Sequence, residues 1–551
     1  MAMQRRDFLR TTLAGAGALV FARNFSPAED AAFDSRIEIL LDETLGNISP
    51  NIYGHFTEHL GGVIYDGIWV GRNSKVRNVD GIRADLIEQM KRIHAPIVRY
   101  PGGCFADSYD WRDGIGPAAQ RPTRTNFWVG AEPKDGPDKH RYEPNEFGTN
   151  EFVHFCKLIG AQPYLAANLR SLPAEEFYRW VEYCNSPAGS TTLAHVRAEA
   201  GYADPFAVRF WGVGNEAWGC GGNFTAAEYA VEFRRFTAWV PGYGQNLSFV
   251  ASGPNGDDRD WTREFFTEIV RKGQDQLRGI YGWALHHYAW NLSRGRTQDW
   301  EKGKGDALQF DPVDWYELLR EGERVEDMIN GHWEVMGQID RDRRVKLIVD
   351  EWGPWYKPGS AATPSDLLEQ TPTLRDAVFS GMTLDCFNRH PDQVAMANCA
   401  QLVNCLNSLF LAHEDKFVVT PVGHVFAMYA GHQGGQSVRT VFSAPSITYD
   451  RDGKPASFWG LKGSASLRGK SLLLTAVNPH VSQAREAAIV VRGASVKSAT
   501  VTLLTDPDIH AHNTFAERAR LAPTSKELPI GPLLAVKLPP ASVAALQLEL
   551  A

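Results

Sequence analysis

Two glutamates close apolar runs in this sequence. Glu216 ends the run Val208-Arg-Phe-Trp-Gly-Val-Gly-Asn215-Glu216, and Glu351 ends Val345-Lys-Leu-Ile-Val-Asp-Glu351. A carboxylate at the end of a buried strand loses solvation, so its presence there calls for a partner or a task. Two such carboxylates facing one sugar ring can divide the work. One protonates the leaving oxygen; the other acts as nucleophile or base. That division requires surroundings that drive their pKa values apart. Other reactive side chains stand at the ends of similar runs. Glu58 and His59 follow Asn51–Phe56, Arg99 and Cys104 close Pro96–Tyr100, His286, His287 and Tyr288 end Ile280–Tyr288, and Asn398 and Gln401 close Val394–Ala400.

Metal and nucleotide chemistry find less support. His55 and His59 belong to a stretch that leaves a strand, and it is not HExxH on a helix. His286 and His287 are adjacent on a strand, where neighbouring side chains take opposite faces. His510 and His512 lie in a β-rich region far along the chain, where a surface loop is the simpler reading. The sequence has no CxxC pair, no GxSxG and no Walker loop. No metal or other cofactor is expected, since a carboxylate pair needs none.

These residues need elements that bring strand ends together. The chain repeats an apolar run, a Gly- and aromatic-rich loop, and a helical pattern. Ile82, Leu86, Met90 and Ile93 show the 3–4 spacing of a helix that follows the first run. The runs are Asn51–Phe56, Pro96–Tyr100, Pro163–Leu169, Val208–Glu216, Leu247–Ser252, Ile280–Tyr288, Val345–Glu351 and Val394–Ala400. Eight such units predict a (β/α)8 TIM barrel, residues 50–429, with its site at the C-terminal strand ends. Glu216 and Glu351 then sit on the fourth and seventh strands. Beyond residue 429 short β-rich runs take over, among them Val438–Phe442, Ala456–Trp459, Ser471–Ala476 and Val543–Leu548. They predict a C-terminal all-β sandwich, jelly-roll-like, over residues 430–551. The strand Arg36–Leu41, within residues 33–49, is expected to complete it. The loop Asp113–Asn145, with Phe127 and Trp128, is long enough to be functional, either as a cap or as the leaving-group wall.

Composition bounds the partners. Among 551 residues, 57 Lys and Arg stand against 65 Asp and Glu, for a net charge of −8, which argues against a general nucleic-acid binder. No apolar stretch reaches the length of a membrane span. Sixteen tryptophans are enough to serve both a core and a sugar platform. Seven cysteines in so long a chain do not form a disulfide scaffold. Arg5-Arg6 before Phe8-Leu9, a mildly apolar run and Ser26-Pro27-Ala28 are similar to a twin-arginine signal peptide over residues 1–32, so a periplasmic or secreted enzyme is expected.

Taken together the motifs resemble a known family. Gly54-His-Phe-Thr-Glu-His-Leu60, Arg99-Tyr-Pro-Gly-Gly-Cys-Phe105, Trp211-Gly-Val-Gly-Asn-Glu216, His286-His-Tyr288, Val349-Asp-Glu-Trp352 and Ala400-Gln-Leu-Val-Asn404 occur in that order, as in glycoside hydrolase family 51, the α-L-arabinofuranosidases. The resemblance implies a retaining, exo-acting enzyme that removes α-L-arabinofuranose from arabinoxylan, arabinan or their oligosaccharides. It implies Glu216 as acid/base and Glu351 as nucleophile, ~5 Å apart rather than the ~6.5–9.5 Å of an inverting pair. It assigns furanose hydroxyls to Glu58 and the hydroxyl beside the anomeric carbon to Asn215. Tyr288 is to orient the nucleophile with His286 beside it, Trp355 and Gln401 are to line the sugar pocket, and Arg99 is to hold the carboxylates. Some family members carry Asn at the position of Cys104, and a thiol is the weaker hydrogen-bonding group. The alternatives are a β-xylosidase or endo-β-1,4-glucanase on the same scaffold, or a sugar-binding protein without catalysis. Relatives are often homo-oligomers. Cys104 and Cys220, each just past a barrel strand, are one candidate disulfide pair.

Overall fold

The computed structural model describes residues 33–130, 142–294, 297–364 and 367–551. The segment read as an export signal, residues 1–32, lies outside the described residues.

Eight parallel strands form a closed barrel. In chain order they are Gly54–Phe56, Ile97–Tyr100, Gln162–Ala167, Phe210–Val213, Ser248–Ala251, Gly282–Ala289, Lys346–Pro354 and Val394–Ala400. Each lies within or against one of the expected apolar runs. Inside the barrel Ile97, Tyr164, Phe210, Val250, Ala284, Ile348 and Met396 pack into one buried layer, so the lower interior is filled and the reactive side chains are confined to the upper rim. The outer faces of the strands pack against helices, including Ala226–Thr237, Arg259–Val270 and Leu374–Arg389.

The helix before the seventh strand is longer than its periodicity suggests. A helix is expected over Val325–Asp340; it runs from Pro312 to Ile339, with Asp311 capping its N-terminus. Gly322 obscures the helical pattern, yet it is where Phe379 packs close: a Cβ there would lie 2.6 Å from that ring.

The C-terminal region is all β. Nine strands form one hydrogen-bonded sheet, into which Ser35–Asn47 inserts. That strand pairs antiparallel with Gln436–Ser443 and parallel with Arg485–Arg492. Lys462–Arg468 is an inner strand despite its small and polar residues; its neighbours on both sides supply the pairing. The expected strand Ala456–Trp459 falls instead in a separate hairpin, Ile447–Asp450 with Pro455–Phe458. The barrel and this sheet share one core, to which Val477, Leu504 and Val543 of the sheet and Leu374, Val378 and Phe387 of the helix before the eighth barrel strand contribute.

Candidate active site

The seventh barrel strand sets the centre of the site. Its register against the sixth strand skips a residue: Leu285 faces Val349, but His286 faces Glu351. Asp350 is the extra residue. On a regular strand Asp350 and Glu351 would take opposite faces. A bulge re-aims side chains, and here both reach the same guanidinium. Arg99 Nη1 lies 2.7 Å from Glu351 Oε1 and its Nε 3.1 Å from Asp350 Oδ2. Its Nη2 donates to Asn215 Oδ1 at 2.6 Å. Arg99 is buried and sits over the Phe56 ring, so its charge is spent on these partners rather than on solvent.

Glu351 also accepts a 2.7 Å hydrogen bond from Tyr288 Oη. Burial alone would raise its carboxyl pKa, but His286, Arg99 and Tyr288 outweigh burial and hold it below the ordinary carboxylate value. His286 itself is raised: burial opposes its charge, and the Glu351 and Glu216 carboxylates overcome that. Its Nδ1 lies 3.0 Å from Glu216 Oε1 and 3.6 Å from Glu351 Oε2. One imidazole thus joins the two glutamates, and the three ligating atoms lie within 4.8 Å of one another.

Glu216 follows the fourth strand on a left-handed backbone, with φ of 40° after 79° at Gly214. A left-handed non-glycine residue is strained and persists only where its surroundings hold it. Asp107 supplies one hold: its Oδ2 accepts the Asn215 N–H at 3.1 Å, and its Oδ1 accepts the Leu169 N–H at 2.7 Å. Ser252 Oγ accepts the Ala217 N–H at 3.1 Å. The Glu216 side chain is 21% exposed and that of Glu351 only 7%. Glu216 is thus the more open of the two to solvent, and Glu351 is shielded by its partners.

Glu58 forms the opposite wall. Its Oε1 accepts the N–H groups of Gly103 and Phe105, each at 3.0 Å, and its Oε2 accepts Gln401 Nε2 at 3.0 Å. Burial, helped by the Glu351 charge, nonetheless pushes it up to about 7. The loop after the second strand needs glycine to pass here. A Cβ on Gly102 would lie 2.4 Å from Glu58 Cγ, and one on Gly103 would lie 2.9 Å from Glu351 Oε1.

All of the expected site residues except Arg99 line one cavity of about 600 Å³. Arg99 lies behind its wall. Cys104 lines it as half of a disulfide with Cys220, so it offers no thiol proton. The tryptophans divide between two tasks. Trp211, Trp283 and Trp352 are buried in the core, whereas Trp128, Trp218, Trp290, Trp300 and Trp355 line the cavity. Trp128 belongs to the long loop; residues 131–141 of that loop lie outside the described residues. Asp107 and Tyr164, whose Oη donates to Asp350 at 2.9 Å, were not legible as site residues. Asp350 stood out only by its place beside Glu351 at a strand end, which suggested no role for it. The cavity extends past Trp218 to Asn255, Asp257 and Arg324, none of which follows a motif.

A closed parallel barrel with two glutamates bridged at its rim defines a two-carboxylate glycoside hydrolase. Residues 89–302 match the α-L-arabinofuranosidase 1 domain, and residues 350–542 match the α-L-arabinofuranosidase C-terminal domain. An intracellular exo-α-L-arabinofuranosidase of Bacteroides ovatus is 33% identical over 517 residues, which cover 93% of this chain and 95% of that protein. An intracellular exo-α-(1→5)-L-arabinofuranosidase of Streptomyces lividans is 28% identical, over 87% of this chain and 70% of that one. The crystal structure of the GH51 arabinofuranosidase from Xanthomonas axonopodis pv. citri superposes with a TM-score of 0.85 at 33% identity, covering 94% of this chain and all of that one (100%). The α-L-arabinofuranosidase of Thermotoga maritima, in its arabinose complex, gives 0.79 at 31% identity, with coverage of 94% and 100%. The chain belongs to glycoside hydrolase family 51, the α-L-arabinofuranosidases.

The comparisons correct one expectation. The Arg5-Arg6 segment suggested export to the periplasm or beyond, but the Bacteroides and Streptomyces relatives are named intracellular enzymes. A basic pair before a weakly apolar run is a short pattern that an unstructured tail also produces, so it does not carry an export assignment against that finding.

Proposed function

We propose that the chain releases terminal α-L-arabinofuranose with retention, using Glu351 as nucleophile and Glu216 as acid/base. The supporting observation is the single imidazole of His286 between the two carboxylates, whose facing oxygens lie within 4.8 Å. That spacing suits a nucleophile pressed against the anomeric carbon. An inverting pair leaves room for water, at ~6.5–9.5 Å.

In the first step Glu351, kept ionised by Arg99, His286 and Tyr288, attacks the anomeric carbon as Glu216 gives its proton to the leaving oxygen. The new Glu216 carboxylate then faces His286 Nδ1, 3.0 Å from its Oε1. In the second step Glu216 takes a proton from water, and the resulting hydroxide oxygen displaces Glu351. Glu58 and Gln401 are the hydrogen-bonding wall for ring hydroxyls, Asn215 Nδ2 serves the hydroxyl next to the anomeric carbon, and Trp355 packs against the sugar. Arg99 acts through Glu351 and Asn215, as a positioning residue. The aglycone is an arabinofuranose-bearing oligo- or polysaccharide, and neither nucleic acid nor membrane is a partner. Residues 50–429 are the catalytic unit, residues 430–551 with the strand in 33–49 brace it, and the enzyme acts as a homo-oligomer.

A panel of aryl α-L-arabinofuranoside, aryl β-D-xyloside and β-glucan, followed by NMR of the first-formed anomer, tests the reading. Turnover of the arabinofuranoside with retained configuration, abolished in Glu351→Gln, is expected. Turnover of the xyloside or glucan alone, or an inverted product, contradicts it.

A further inference from the structure

The loop that follows Glu216 curls back on itself. Gly219 and Gly221 both donate their N–H groups to the Glu216 carbonyl, at 2.8 and 3.1 Å. The curl brings Cys220 against Cys104, which comes from the loop after the second barrel strand, and the two are joined as a disulfide. Both sulfurs face the same carboxylate oxygen: Cys220 Sγ lies 3.6 Å and Cys104 Sγ 3.8 Å from Glu216 Oε2. The sulfur and oxygen atoms of the three residues lie within 4.8 Å of one another. Asn215 Nδ2 lies 3.8 Å from Cys220 Sγ, a donor placed to support a thiolate there. The reaction described above uses neither sulfur.

We propose that opening this disulfide creates an inhibitory site for a borderline-soft divalent ion, typified by Zn²⁺, with Cys104 Sγ, Cys220 Sγ and Glu216 Oε2 as its ligands. A dithiol or phosphine reductant supplies two electrons. The sulfur–sulfur bond breaks and each sulfur takes a proton: a dithiol gives up its two thiol protons and closes to a disulfide, whereas a phosphine takes an oxygen from water as its oxide and that water's two protons go to the sulfurs. The ion then displaces the two thiol protons to solvent and binds two thiolates and one carboxylate. Zinc takes thiolate sulfur at ~2.3 Å and carboxylate oxygen at ~2.0–2.2 Å, so its ligands stand ~3.5–4 Å from one another. The Cα atoms of the two cysteines, 5.5 Å apart, allow that spacing by side-chain rotation. The remaining position of the tetrahedron falls to water. Two thiolates select zinc over the hard cations magnesium and calcium. In the disulfide form the sulfurs carry no charge, and the site does not exist. Thiol redox state would therefore decide whether zinc can remove the acid/base from the reaction. That last consequence rests on the role proposed for Glu216; the metal binding itself does not.

The test compares reduced and oxidised full-length protein under anaerobic conditions, after the phosphine has been removed by gel filtration. Cobalt(II) reports the ligands, because thiolate coordination gives a near-ultraviolet charge-transfer band. The reduced protein is expected to gain that band at one equivalent of cobalt and to lose it on adding zinc. Zinc is expected to inhibit arabinofuranoside hydrolysis at a concentration at least about tenfold lower in the reduced than in the oxidised enzyme. A chelator is expected to restore the rate. Cys220→Ser, measured against its own zinc-free rate, is expected to lack both band and heightened sensitivity. The five other cysteines are free and buried in either form, so the oxidised protein is their control. No band in the reduced protein, or a band that survives Cys220→Ser, overturns the site. Equal inhibition of both forms also overturns it, since zinc would then sit on Glu216, His286 and Glu351. A band without inhibition overturns the inhibitory claim and counts against Glu216 as the acid/base.

Discussion

Glu351 and Glu58 have surroundings that push their pKa values in opposite directions. Glu351 is held ionised by donors and cations, and one of these can be removed without changing shape. Tyr288→Phe deletes the 2.7 Å hydrogen bond to Glu351. A hydrogen bond to a charged carboxylate favours its ionised form, so losing it should raise the Glu351 pKa. The nucleophile must be ionised to react, so the acidic limb of the kcat/KM profile should move to higher pH. An unmoved limb would show that Tyr288 does not act on Glu351. Glu216→Ala should cut turnover of an alkyl or oligosaccharide aglycone by about 10²–10⁴-fold. With a dinitrophenyl leaving group, which needs no proton, kcat/KM should fall far less, while kcat still drops because the second step lacks its base. Glu58 behaves oppositely. Its folded pKa is raised from the ordinary 4.5 to about 7. The folded state therefore binds more protons than the unfolded one between those values. The contribution of Glu58 is fully present below pH ~4.5 and is lost as pH rises to ~7, by about 3 kcal/mol. Melting temperature should fall across that window, and Glu58→Gln should flatten the fall. A melting curve with the same slope in the variant would contradict the assignment.

At the scale of elements, the site depends on two departures from regular structure. The bulge at Asp350 turns two neighbouring acids toward one arginine, and the glycine pair 102–103 lets a loop pass against two carboxylates. Gly103→Ala places a methyl group where Glu351 Oε1 stands 2.9 Å away. A displacement of about 1 Å at a reacting group costs about 10²-fold in rate. The variant should lose about that factor in kcat while keeping its melting temperature, measured by steady-state kinetics and calorimetry. Unchanged kcat would mean that the loop yields freely. These devices mark the limit of what the sequence discloses. Glu58, Glu216 and Glu351 were legible because each follows an apolar run, and barrel topology sends such run ends to one rim. Cys104 and Cys220 were legible only as one possible pair. Asp107 was not, because it sits in an irregular loop and acts through backbone N–H groups that no side-chain pattern announces. The length of helix Pro312–Ile339 was hidden by Gly322, and strand Lys462–Arg468 by its lack of β-branched residues. In each, a tertiary neighbour outweighs local preference.

Across the whole molecule the barrel leans on the β-sheet. Asp385, on the helix before the eighth barrel strand, accepts hydrogen bonds from Ser464 at 2.6 Å, Thr475 at 2.5 Å and Tyr429 at 3.0 Å. Trp315 Nε1 donates to the Pro479 carbonyl at 3.0 Å. Gly381 meets the sheet so closely that a Cβ would lie 3.2 Å from Val477. Removing the sheet would expose this shared core, so one calorimetric transition is expected for the full chain. Asp385→Ala, which strands three buried hydroxyls, should cost about 3 kcal/mol of stability. Two separate transitions would show that the units fold independently. The central claim, a covalent sugar on Glu351, is tested most directly by mass spectrometry of Glu216→Ala incubated with dinitrophenyl α-L-arabinofuranoside. The first step remains fast for that leaving group while the second lacks its base, so the protein should gain one arabinosyl group, mapped to the peptide that contains Glu351. Steady turnover with no adduct, or an adduct on another residue, would contradict the account.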